Sequence, residues 1–160
     1  MYNEKNAATS TAEVDLQRLL KKMRPEIQIG GDFAFVTITA AESSSHGPAK
    51  MSAWCEQASM SFRETEGLTL ILLASLADSA GLPYAGTMRC ITLTVHSSLQ
   101  AVGLTAAVSH AIAEAGIPAN VVAAYYHDHI FVPSAQAARA VFLLEQCSAA
   151  AAAATTERGD

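Results

Sequence analysis

The chain has 160 residues, enough for one compact domain or two very small ones sharing a core. Apolar residues make up 51% and charged residues 16%, while aromatics are only 6% and alanine is abundant, which favours helices packed tightly on a sheet. The net charge of −5, with Lys21, Lys22 and Arg24 as the only local basic group, excludes a nucleic-acid or anionic-membrane surface.

Residues 1–10 read as a flexible polar tail. The stretch Met1–Ala12 carries Glu4 and Lys5 and no apolar h-region, so it is not a secretory signal. A first helix is predicted from Ser10, which has capping-box spacing to Glu13, and ends at Pro25. Its apolar face is Leu16, Leu19, Leu20 and Met23. Asp32–Thr39 is rich in β-branched and aromatic residues and reads as a strand. Ala41–Ala49, with three serines, Gly47 and Pro48, reads as a mobile loop. Two strands follow, Ser59–Thr65 and Leu68–Leu73, joined by a tight hairpin in which Gly67 can take a positive φ. A short helix, Ser75–Ala80, stops at Gly81 and Pro83.

Leu82–Thr87 is the expected connector between halves. In Arg89–Val95, Ile91, Leu93 and Val95 alternate with Thr92 and Thr94, the pattern of a half-buried strand. Ser97 and Gln100 have capping-box spacing ahead of a helix whose main run is Leu104–Ala115, with an apolar stripe of Leu104, Val108, Ala111, Ile112 and Ala115. Ala119–Tyr126 reads as a strand, His127-Asp128 as a turn and His129–Val132 as the returning strand. Ser134 caps a last helix, Ala135–Cys147, followed by six alanines that read as frayed.

The second half thus reads β-α-β-β-α, and the first half repeats its latter part as strand, loop, hairpin and helix. Such a unit alone has an open sheet edge and a bare face, which joining two units partly covers. The expected organisation is a tail at 1–10, one half at 11–86, a second at 87–147 and a disordered alanine-rich tail at 148–160. Cys55, Cys90 and Cys147 are widely spaced with no CxxC pair, which reads as reduced thiols in a cytoplasmic protein without a disulfide frame or zinc knuckle. No apolar run approaches the ~20 residues of a membrane span.

Residues 89–133, RCITLTVHSSLQAVGLTAAVSHAIAEAGIPANVVAAYYHDHIFVP, resemble an ACT domain, and specifically a family of small stand-alone ACT-domain proteins of uncharacterised function. MRPEI (Met23–Ile27), SFRETEGLTL (Ser61–Leu70) and SAGLPY (Ser79–Tyr84) extend the resemblance over roughly residues 16–147. Only the stretch 41–56 departs from it. The resemblance implies an α/β (α+β) fold of two fused ferredoxin-like βαββαβ halves, an antiparallel sheet with helices packed on one face. It also implies a non-enzymatic sensor of a small molecule, typically an amino acid, acting as a homodimer or through a regulated protein partner.

The usual ACT pocket lies between the first strand and first helix. Carried over, this is the loop His96, Ser97, Ser98, Leu99, Val102 and Gly103 with Leu104. The hairpin Ala124–Asp128 resembles the ligand-side hairpin of ACT-domain arginine sensors, which places Tyr125 and Asp128 near a ligand and makes Asn120, Val122 and Ala124 candidates beside them. A ligand carboxylate suits the unpaired N–H groups of a helix start, with Gly103 leaving the backbone open to approach. A ligand ammonium needs an acceptor, for which Asp128 or Asn120 qualifies, and Tyr125 could cover an apolar side chain. The competing reading is that Ser97 only caps its helix and Gly103 only permits close helix–sheet packing.

His127-Asp128-His129 also admits a metal reading, because histidines at i and i+2 on a strand share a side. His46, His96 and His110 have no sequence reason to join them, so no metal, cofactor or catalytic residue is expected. His96 beside Ser97 faces the wrong way for a nucleophile–base pair, and no GxSxG elbow is present. A metal-dependent enzyme built on His127, Asp128 and His129 stays as the alternative, with a ligand-free structural subunit beside it.

Overall fold

The computed structural model describes residues 12–156. Its elements in order are α1 (Leu16–Lys22), β1 (Pro25–Ile27), β2 (Phe33–Ile38), α2 (Ala40–His46), α3 (Pro48–Gln57), β3 (Met60–Arg63), β4 (Leu68–Leu73) and α4 (Ala74–Ala80). There follow β5 (Met88–Leu93), α5 (Leu104–Glu114), β6 (Asn120–Ala123), β7 (Asp128–Pro133), a 3-10 turn at Ser134–Gln136 and α6 (Ala137–Thr156).

The strands form one sheet in the order β3-β4-β2-β5-β7-β6, every pairing antiparallel, with β1 also on β5. Alternation along the strands divides the apolar residues between two faces. Ala34, Val36, Leu70 and Leu72 pack under α3 and α4 with Trp54 and Ala77. Ile91, Leu93, Ile130 and Val132 pack under α1, α5 and α6 with Leu19, Val108 and Leu144. The opposite parity (Phe33, Ile71, Cys90, Phe131) makes a third buried cluster of strand residues alone. Phe33 lies directly across from Met88, so this cluster shares one face and both helix layers lie on the other. On the helix-free face Phe131 meets Phe33 and Phe35 edge-on at 5.6 and 5.4 Å. The mixed fold with helices on one side of a curled antiparallel sheet is the one expected from the sequence.

Several local expectations change. The predicted start of the first helix at Ser10 lies outside the described residues, and the helix instead begins at Leu16, with Asp15 accepting from the Arg18 amide at 2.8 Å. Glu13 is drawn away into a parallel bridge with Ser97. The segment read as a loop over 41–49 is helical. Thr39 and Glu42 form a capping box, with the Thr39 amide donating to Glu42 at 2.8 Å. The serine hydroxyls that suggested a loop donate to helix carbonyls, Ser44 to Ala40 and Ser45 to Glu42. Pro48 then opens α3 at its first turn.

The tail expected to fray after Cys147 continues α6 to Thr156, because alanine has the strongest helix propensity and the added turns meet α1. Ser148 is buried there and donates to the Lys21 carbonyl at 3.2 Å, and Ala151 is buried as well. Ser134 does not cap this helix. Its hydroxyl donates to Thr87 at 3.1 Å and the 3-10 turn intervenes.

Packing also crosses the expected sequence boundary at 86/87. β1 pairs with β5, and α1 packs on α6, so residues 16–27 complete the second half. That half then has the strand order β1-β5-β7-β6, with its outer strand supplied by the start of the chain.

Candidate functional site

The C-terminal end of β5, the β6–β7 turn and the start of α5 meet at one end of the sheet. Leu93 faces Asp128 across β5 and β7, and Ala123 faces Asp128 across β6 and β7. The pairing puts the Asp128 side chain on the helix face, where it is buried at 5% exposure. Thr105, in the first turn of α5, donates to its Oδ2 at 3.5 Å. Burial pushes the Asp128 carboxyl above its ordinary value, against the Thr105 hydrogen bond and the neighbouring His129 and His127, which favour ionisation. None of the ion pairs among the described residues includes Asp128.

The turn itself differs from the expectation. The Ala124 amide donates to the His127 carbonyl at 3.1 Å, so Tyr125 and Tyr126 form the tip and Asp128 already belongs to β7. Both tyrosines are 59% exposed, with rings 4.8 Å apart, and His96 packs against Tyr126 at 5.1 Å. The aromatic group thus lies over the strand–helix loop.

That loop does not open a helix at Ser97. The helix starts at Leu104, with Gly103 as its N-cap in a left-handed conformation and no side-chain cap. The loop backbone is held by the chain itself: Glu13 donates to His96 O at 3.1 Å and accepts from Ser98 N at 3.0 Å. Ser98 Oγ accepts from the Gln100 amide at 3.2 Å. A Cβ on Gly103 would lie 2.9 Å from Leu16 Cδ2, so the missing side chain makes room for α1 beside the helix start. Leu104 is core, whereas Leu99 and Val102 are 60% and 82% exposed on the loop.

Two candidates do not join this group. Asn120 sits at the far end of β6, with its Nδ2 3.6 Å from Met88 Sδ. Val122 points to the helix-free face and packs with the phenylalanine cluster. Ala124 is exposed at the turn. Thr105 and Tyr126 lie in this group, with Glu13 bracing the loop behind it, and none of them was singled out as a site residue from the sequence. Thr105 follows Gly103-Leu104 directly, and Tyr126 shares the turn with Tyr125, so both were within reach once the turn was placed correctly. Nothing local to Glu13 signals its pairing across the chain.

The metal alternative does not assemble here. His127 Nδ1 is 3.2 Å from the Val95 carbonyl, and His129 Nδ1 is 3.1 Å from Thr92 Oγ1 on the other face from Asp128. Burial lowers the His129 pKa and raises that of nearby Cys90 to about 11. Among the described residues no group of three His, Cys, Asp or Glu could hold a metal ion. An open groove of about 420 Å³ along α1 is lined by Asp15, Gln17, Arg18, Lys21 and Lys22, all within or beside one short helix. No helix among the described residues is long and apolar enough to cross a membrane.

The first half repeats this end of the sheet with a different content. By pairing register Ile38 and Leu68 stand where Leu93 and Asp128 stand in the second half. Gly67 takes the place of His127, and its missing Cβ would lie 2.4 Å from the Ile38 carbonyl oxygen. Only Thr39 separates β2 from α2, and its capping box with Glu42 closes the helix start.

Two ACT-domain family models match the chain in tandem, at residues 11–89 and 87–146. A Vibrio cholerae protein of unknown function, described as a possible transport protein, is 43% identical with a TM-score of 0.70, over 83% of this chain and 95% of its own. An Agrobacterium tumefaciens protein is 19% identical with a TM-score of 0.62, over 79% of this chain and 89% of its own. The regulatory subunit of aspartate kinase from Thermus thermophilus shares the fold at 10% identity and a TM-score of 0.54, over 76% of this chain and 97% of its own. No curated protein matches the chain.

Proposed function

From the premise that this chain belongs to the ACT-domain family, as a tandem pair, we propose that it is a non-enzymatic sensor of a small molecule, an amino acid or a close relative. The candidate site is the end of the second half formed by His96, Thr105, Tyr125, Tyr126 and Asp128. One observation carries this reading: among the described residues Asp128 is a buried carboxylate with a single long side-chain hydrogen bond and no cation paired to it. A ligand ammonium supplies the missing partner, since a buried charge is tolerated when paired. The first-turn amides of α5, which lack a side-chain cap, suit the ligand carboxylate. Tyr126 and His96 then cover the bound molecule.

The output is a population shift in a cytoplasmic homodimer or in a regulated protein partner, without a nucleic acid or membrane surface. Ligand favours whichever arrangement it binds more tightly. The test is a thermal-shift panel of the twenty amino acids, nucleotides and common metabolites on the purified chain. A ligand at 100 times its Kd adds about 2.7 kcal/mol. A selective rise that Asp128→Asn abolishes while the variant stays folded is the expected result. A panel with no rise for any compound overturns the sensor reading and leaves a ligand-free partner subunit.

A further inference from the structure

Asp128 is buried, so a molecule the size of an amino acid reaches its carboxylate only if a neighbouring element moves. The strands beside it are fixed in the sheet, Leu93 on one side and Ala123 on the other. The helix that carries Thr105 is anchored by the buried Leu104 and Val108. The loop between β5 and α5 is held far more lightly. Among the described residues, residues 96–102 make two backbone hydrogen bonds to the rest of the chain, and both go to Glu13. Leu99 and Val102 stand out in solvent between them and α5.

The short segment 13–16 grips this loop at both ends. Glu13 donates to His96 O at 3.1 Å and accepts from the Ser98 amide at 3.0 Å, which pins the start. Three residues later the Leu16 side chain fills the notch that Gly103 leaves, which pins the end. The grip itself has little behind it. The Glu13 carboxylate accepts from the Val14 and Asp15 amides at 3.1 and 3.2 Å, bonds within the segment, and meets the exposed Lys22 at 3.4 Å. Val14 is exposed and Leu16 only half-buried, whereas Leu19 and Met23 seat the rest of α1 in the core. Release of the segment therefore needs only the first turn of α1 to fray, and a region with so few buried contacts opens locally at low cost.

We infer that residues 13–16 are a clasp on the candidate site: their release frees the β5–α5 loop and opens the way to Asp128, and their return closes the loop over the bound molecule. Clasp and loop move as one unit, because the bonds that hold one are the bonds that hold the other. The inference deepens the proposed sensor function by naming how its site is entered, and it rests on that function.

Amide exchange on the full chain tests the movement without any ligand. Glu13 and Ser98 donate the two pinning bonds, so their amides are expected to share one protection, about a hundredfold or more below that of the β7 amides. Leu16→Ala, which empties the notch, should speed both by the same factor, about tenfold. Glu13 and Ser98 amides as protected as β7, or sped by unequal factors, overturn the clasp. A lock then tests entry. Glu13→Cys with Ser97→Cys, partners in the parallel bridge, is made in a chain carrying Cys55→Ser and Cys147→Ser, so that oxidation closes a disulfide across the clasp and reduction frees it. The probes are the twenty amino acids, nucleotides and common metabolites of the thermal-shift panel. A compound that raises the midpoint of wild type is expected to raise that of the reduced lock and to leave the oxidised lock unmoved. An oxidised lock that responds like the reduced one overturns the clasp and leaves the sensor reading standing. No rise for any compound on wild type overturns both. Should the lock fail to respond even when reduced, the exchange of Glu13 and Ser98 in wild type decides.

Discussion

Each half of the molecule ends its central hairpin beside the start of a helix, and the two ends are put to opposite uses. In the first half Leu68, Gly67 and the Thr39–Glu42 box fill that end with packing and capping. In the second half Asp128, Thr105 and an uncapped α5 leave polar groups there, and Tyr126 packs on His96 in the adjoining loops. The loop Thr94–Gly103 before α5 makes this possible, whereas one residue links β2 to α2. The difference teaches that a repeated fold does not repeat its site. The first half fills that end with packing and a capping box, and the proposed ligand is assigned to the second.

The largest expected effect comes from the pair Gly67 and His127, which hold equivalent places. Gly67→Ala drives a Cβ into the Ile38 carbonyl and should cost about 3 kcal/mol. His127→Ala loses one contact to the Val95 carbonyl and should cost about 1 kcal/mol. Urea titrations of the two variants check the contrast, and equal losses would break it.

Asp128→Leu gives the second half the residue of the first and should stabilise the protein by about 2 kcal/mol once the wild-type carboxyl is ionised, since an unpaired buried charge is removed. The pH dependence follows from the raised pKa. The contribution of Asp128 to stability is fully present below its unfolded pKa and is lost as pH rises through the higher folded value. Glu13 and Glu42 act with the opposite sign. The backbone hydrogen bond to Asp15 lowers Glu13, and the Thr39 hydroxyl lowers Glu42, so their contributions fade as pH falls. The difference between wild type and Asp128→Asn, followed by thermal melts across the acid range, therefore isolates Asp128. A difference flat with pH would contradict the burial of a titrating carboxyl.

Smaller effects concern how each half is held shut. Thr39→Ala opens the capping box and should cost about 1 kcal/mol, with no effect on any ligand-induced thermal shift. Ser148→Ala removes the link from α6 to the Lys21 carbonyl and should cost under about 1 kcal/mol, read as faster amide exchange in α1.

The sequence made the fold class, the strands Phe33–Ile38, Leu68–Leu73 and Met88–Leu93 and the main run of α5 legible, because period-2 and period-3.6 patterns are local. It misplaced features whose decisive partner is distant. The serines at 43–45 look like loop until Thr39 and Glu42 are seen to cap one another. The alanines at 149–154 look frayed until α1 is laid beside them. The site was half legible. Asp128, Tyr125 and His96 were singled out as candidates, yet a two-residue shift of the turn passed over Tyr126 and put Asp128 in a loop. The use of Gly103 by Leu16 depends on a contact between the first helix and the second half, which no local pattern encodes.

The central claim is that ligand binds only in the second half, and amide chemical-shift mapping tests it most directly. Wild-type chain is titrated with the amino-acid mixture and then with its active component. The account predicts shifts concentrated in 95–105 and 125–128, with 38–42 and 64–68 unmoved. Shifts of equal size at both ends, or confined to the first half, would contradict it.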